Sequence, residues 1–123
     1  MKTESTVYIL SKQFALRIIK LYKFLTEEKH EYIMSKQIYR SGTSIGANFA
    51  ESKFASSRAD YLNKMRIALK EANETLYWLE LLRESDYIKS KEFDSLSNDL
   101  KTIIGTTVNI INKVKENNKI IIT

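Results

Sequence analysis

Apolar residues recur every three or four positions along almost the whole chain. Val7, Leu10, Phe14, Ile18, Leu21 and Leu25 form one stripe, and Met34, Ile38, Ile45 and Phe49 form a second. Leu62, Met65, Leu69, Ala72, Leu76, Leu79 and Arg83 alternate steps of three and four, in the manner of a coiled-coil seam. Phe93, Leu96, Leu100, Ile103, Thr107, Ile110 and Val114 repeat that rhythm. Such steps bring side chains to one side of an α-helix. The pattern therefore predicts four helices, over about 5–29, 31–55, 58–86 and 90–117, with a tail at 118–123.

The breaks between the stripes are polar. TEEKHE closes the first, ASSRAD separates the second from the third, and SDYIKS separates the third from the fourth. Ser56 or Ser57 is a candidate N-cap for helix three, and Ser90 for helix four. The chain has no proline and only three glycines, so the usual turn punctuation of a many-turned β fold is missing. Short links make successive helices antiparallel neighbours. The expectation is all-α: one up-down-up-down four-helix bundle domain over residues 1–123, since 123 residues suffice for a single core.

Composition narrows the chemistry. With no cysteine, disulfides, thiolate metal sites and cysteine nucleophiles are all excluded. The one histidine, His30, falls at a helix junction among charges and reads as an exposed linker residue. Glu71, Glu74 and Glu80 invite a paired-carboxylate reading, but di-iron bundles need Glu-x-x-His motifs on facing helices and none occurs. No metal, no cofactor and no catalysis are expected; an enzyme would require a pocket gathering Glu74, Arg66 and a tyrosine. No apolar run reaches the roughly 18 residues of a membrane span, and MKTESTVYIL has no signal-peptide pattern. A cytoplasmic protein without a membrane partner is the expectation.

Residues 40–52, RSGTSIGANFAES, hold two of the three glycines. A phosphate-binding loop would need GxxxxGK[ST] after a strand, whereas here the spacing is GxxxG on a predicted helix. Gly42, Gly46 and Ala50 share one helix side, where missing side chains let another backbone approach. Each glycine costs about 0.5–1 kcal/mol of helix stability relative to alanine, a cost that close packing can offset. The same reading makes Gly105, in helix four, a third close-packing position.

Some apolar residues exceed what one core requires. Ile9 and Leu16 lie off the first stripe, and Ile67, Trp78 and Leu82 lie off the third-helix seam. A second apolar strip on each of two helices points to a subunit interface; alternatively, Trp78 only flanks the core. Lys12, Lys20 and Lys23 fall within about 80° of arc on helix one. With 20 Lys and Arg against 15 Asp and Glu, the chain carries a net charge of +5. The lysine strip is either a solvated face or, multiplied around a ring of subunits, a belt able to contact phosphates. Asn48 and Glu51, three apart and away from the core stripe, are expected to bond to neighbouring helices or subunits through Arg58 or Arg66.

SIGANFAES, followed by SRADYLNKMRIALKEANETLYWLELL, resembles the four-helix-bundle proteins encoded by intervening sequences in bacterial 23S rRNA genes. In that family, helix two ends in a pattern like SIPxNIAEG, and an RIA-like segment and a glutamate follow. By this resemblance Asn48, Ala50 and Glu51 match the N-x-A-E positions, and Arg66, Ile67, Ala68 and Glu74 the later ones. Gly46 stands where proline is common and Ser52 where glycine is common, which implies a straighter and longer helix two. The resemblance also implies a left-handed bundle, assembly into a pentameric ring, and kinship with the nucleic-acid-binding accessory protein of diversity-generating retroelements. Together these readings favour a non-enzymatic oligomeric scaffold that binds RNA or DNA, possessing a basic surface suited to a ribonucleoprotein. The alternative is an adaptor that recruits only another protein.

Overall fold

The computed structural model describes the backbone of residues 2–122 and the side chains of residues 6–117. It contains α1 (Lys2–Glu27), α2 (Met34–Ser52), α3 (Arg58–Glu84) and α4 (Ser90–Ile122), with no strand among the described residues. Each helix packs on its chain neighbours, and α4 closes back onto α1, whereas among the described residues the diagonal pairs do not bring their backbones close. Along the α1–α2 seam Tyr22 meets Tyr39, Ile18 meets Gly42 and Ser11 meets Gly46, so the two helices run in opposite directions. Ser41 with Thr75 and Glu51 with Lys64 show the same reversal between α2 and α3.

The core falls on the apolar stripes of three helices. Val7, Phe14, Ile18, Leu21 and Leu25 are buried on α1, Ile38, Ile45 and Phe49 on α2, and Leu96, Leu100, Ile103 and Ile110 on α4. Among them sit buried hydroxyls, and a bond to its own helix lets a small polar residue occupy an apolar layer. Thr107 donates to the Ile103 carbonyl at 2.7 Å, and Ser52 to that of Phe49 at 2.7 Å.

On α3 the buried row differs from the expected seam. Met65, Ala72 and Leu79 face inward, flanked by Ala68, Thr75 and Leu82, while Leu69 and Leu76 are half-buried and Arg83 is exposed. Leu82 is fully buried in the core of the subunit and is not an interface residue. The reason is rotational: seven residues fall about 20° short of two full turns, so the inward direction drifts along a long helix. Leu62 is buried at the start of α3, and by its end Leu82 has taken over from the row Leu62–Leu69–Leu76–Arg83. Gly105 is a second correction. It is exposed on the outer side of α4, and a Cβ placed there would meet nothing within 4 Å. Close packing does not explain it.

Helix ends follow local chemistry. The chain leaves α1 through His30, which has φ 52°, in the left-handed region that few non-glycine residues adopt. That turn folds Glu31 back, and its carboxylate accepts from the backbone N–H groups of Ile33, Met34 and Ser35 at 3.1, 3.0 and 2.7 Å. Glu31 thus caps α2, which begins at Met34, three residues later than the stripe suggested, and ends at Ser52. Ser57 caps α3: its hydroxyl accepts from Asp60 N–H at 3.0 Å, while Asp60 Oδ2 accepts from Ser56 N–H at 3.1 Å. Ser90 is instead the first residue of α4, and its hydroxyl accepts from Arg83 at 2.9 Å. The polar ENNK does not stop α4, which continues to Ile122, because nothing in it breaks a helix as proline would.

Candidate functional site

The first candidate surface is the outer face of α1. Because Val7, Phe14, Ile18, Leu21 and Leu25 turn inward, the residues half a turn away must face out. Lys12, Lys20 and Lys23 are all exposed there, and among the described residues none forms an ion pair. Between them lie Ile9 and Leu16, 53% and 56% exposed. Apolar side chains this open, ringed by ammonium groups, form a mixed basic and apolar strip.

The second lies along the α2–α3 seam. Arg40 reaches across from α2, donating to Glu71 at 3.1 Å and, through its other nitrogen, to Glu74. Trp78 Nε1 donates to the same Glu74 carboxylate at 3.0 Å. The Trp78 bond and then Arg40 hold the Glu74 carboxyl below its ordinary range, and Glu74 in turn raises Arg40. Trp78 is half-buried against the core, and its ring meets exposed Tyr77 edge-on at 5.2 Å. Ile67 is also half-buried. Sequence reasoning passed over Arg40 and Tyr77; the only signal for Arg40 was its place at the head of the segment RSGTSIGANFAES.

The other motif residues are scattered. Asn48 donates to the Ser44 carbonyl of its own helix at 2.8 Å, a bond that does not reach a neighbouring helix. Glu51, on the exposed side, lies 3.9 Å from Lys64 on the neighbouring helix α3. Ala50 is half-buried and Arg66 exposed. Gly42 and Gly46 are buried against α1: a Cβ at Gly42 would stand 2.8 Å from Ile18, and one at Gly46 3.5 Å from the Ser11 backbone. Glu80 is exposed, and His30 touches the Tyr32 hydroxyl at 3.1 Å. No cluster of metal-ligating side chains occurs, and no helix is long and apolar enough to cross a membrane, among the described residues.

Four helices, each packed on its neighbours around one apolar core, define the class of four-helix-bundle proteins. Within that class, this chain belongs to the 23S rRNA-intervening sequence protein family, whose sequence profile matches residues 3–109. It is also similar to a solved structure from Bacteroides thetaiotaomicron, described as a protein of unknown function from the S23 ribosomal protein family. The two are 53% identical over 89% of this chain and 98% of the other, with a TM-score of 0.88. No curated protein matches the chain.

Proposed function

We propose that this protein is a non-enzymatic oligomeric scaffold, a pentameric ring, whose basic surface binds RNA or DNA within a ribonucleoprotein. The observation that carries the reading is the outer face of α1, where exposed Ile9 and Leu16 sit among the unpaired Lys12, Lys20 and Lys23. The apolar pair would dock on another copy near Tyr77 and Trp78, a different patch. Such head-to-tail contacts close into a ring when the rotation allows. Lysines repeated around the ring would then meet phosphates. The implied kinship with the retroelement accessory protein points the same way.

The test joins light scattering with binding of structured RNA and duplex DNA across salt concentrations. The expected result is a multimer whose log affinity falls with log salt by about 0.7–0.9 per phosphate neutralised. Joint replacement of Lys12, Lys20 and Lys23 by alanine should flatten that slope. A monomer at micromolar concentration overturns the scaffold. A multimer with a slope near zero overturns nucleic-acid binding and favours the adaptor that recruits only protein.

A further inference from the structure

Where the second half of α1 meets the α3–α4 link and the start of α4, a cleft of about 590 Å³ opens at one end of the bundle. Ligand sites typically span roughly 300–1,000 Å³. Four cationic side chains line the cleft, Arg17, Lys29, Lys89 and Lys91, against two carboxylates, Asp86 and Glu92. Phe24 and Tyr87 supply aromatic surface. A smaller hollow of about 340 Å³ shares Arg17, Phe24 and Glu92 and adds Lys20. Phe24 is therefore common to both, and it is 38% exposed.

The cations are not equivalent. Arg17 is held in place, donating to Asp99 at 2.7 Å and to the Ser95 hydroxyl at 2.9 Å, so it forms a fixed wall. Lys29, Lys89 and Lys91 form no ion pair among the described residues. The Lys29 ammonium lies 5.7 Å from the Phe24 ring centre, and as an exposed, flexible side chain it can yield that face to a ligand. Uncommitted ammonium groups around an exposed aromatic ring match a ligand with an aromatic ring and a negative charge. A simple anion would leave the ring unused, and an apolar molecule would strand the lysines.

We propose that this cleft binds a nucleoside phosphate, its base stacked on Phe24 beside Tyr87 and its phosphate against Lys89 and Lys91. Asp86 and Glu92 are placed to accept from ribose hydroxyls or base amino groups. A free nucleotide and the 5′-phosphorylated end of a single strand share this chemistry. The site lies within one subunit, so it does not depend on a ring, and neither Lys12 nor Lys23 lines it; Lys20 lines only the adjoining hollow.

Calorimetric titration of the full chain with AMP, adenosine, inorganic phosphate and a short 5′-phosphorylated oligoadenylate tests it. AMP, the oligonucleotide or both should bind, with adenosine and phosphate each weaker by about tenfold or more, because each offers only half of the recognised chemistry. AMP binding marks a free nucleotide as the ligand, and binding of the oligonucleotide alone marks a strand end. Phe24→Ala should weaken binding about tenfold or more, the size of a lost base–aromatic stack, and Phe24→Leu should do the same while keeping apolar volume. The double variant Lys89→Ala/Lys91→Ala should also weaken it, and Lys12→Ala should not. Three results overturn the site: no heat with any probe at millimolar concentration, phosphate binding as tightly as AMP, or wild-type affinity in a helical Phe24→Leu protein. Duplex binding lost with Lys12, Lys20 and Lys23 but insensitive to Phe24 would test the scaffold separately.

Discussion

Gly42 on α2 sits so close to Ile18 on α1 that a Cβ would lie 2.8 Å from Ile18 Cγ1 and 3.0 Å from Cγ2. Ile18 is fully buried and has little room to yield. One turn along, the space at Gly46 is ordinary, with Ser11 backbone atoms at 3.5 Å. Gly42→Ala should therefore destabilise the protein by about 1–3 kcal/mol of overpacking, less the roughly 1 kcal/mol gained from helix propensity. Gly46→Ala should be neutral or stabilising by up to about 1 kcal/mol, whereas Gly46→Leu should destabilise. Thermal melts of the three variants check this. Equal losses for both alanines would contradict the geometry.

The Glu31 cap makes stability depend on pH. Burial opposes the charged carboxylate, but the N–H groups of Met34, Ser35 and Ile33 outweigh it and hold the group below its ordinary value. A depressed folded value means the contribution is complete above the unfolded value of about 4.3 and is lost as pH falls through the folded one. Glu31→Gln should lower the melting temperature at pH 7 and reduce its fall between about pH 5 and pH 3. An unchanged acid limb would show that another carboxylate is responsible.

Arg40 and Glu74 are 51% and 31% exposed, so their pairing is screened by solvent. A double-mutant cycle with Arg40→Ala and Glu74→Ala should give a coupling of only about 0.2–1 kcal/mol. Trp78→Phe should raise the Glu74 pKa toward its usual range by removing the indole donor, as followed by carboxyl NMR titration. No movement of that resonance would separate Trp78 from Glu74.

Leu82 and Leu16 should behave oppositely. Leu82→Ala opens the core and should cost about 2–5 kcal/mol in denaturant titrations. Leu16→Ala, at a position 56% exposed, should leave a helical subunit intact while lowering the mass seen by light scattering. Trp78→Glu should likewise give smaller species that stay helical. Retention of full mass in both Leu16→Ala and Trp78→Glu would remove these residues from any interface.

Four helices were legible along the chain because helical periodicity is local, and each stripe repeats it five times or so without proline to interrupt. The buried rows of α1, α2 and α4 could be read directly, since each carries its large apolar residues on one dominant side. The cap of α3 could be narrowed to Ser56 or Ser57, and the bond from Asp60 N–H, three residues on, falls to Ser57.

The seam of α3 was not legible. Leu76, Leu79, Leu81 and Leu82 crowd more than half the helix circumference, and only the positions of α2 and α4 select which row turns inward. The same holds for Arg40 with Glu71 and Glu74, separated by 31 and 34 residues, and for Arg17 with Asp99, separated by 82. Periodicity reports which residues share a side of one helix. The angle at which that side meets its neighbours is a property of four helices packed together, and it decided which apolar residues are core, which remain outside, and where the cleft beside Phe24 opens.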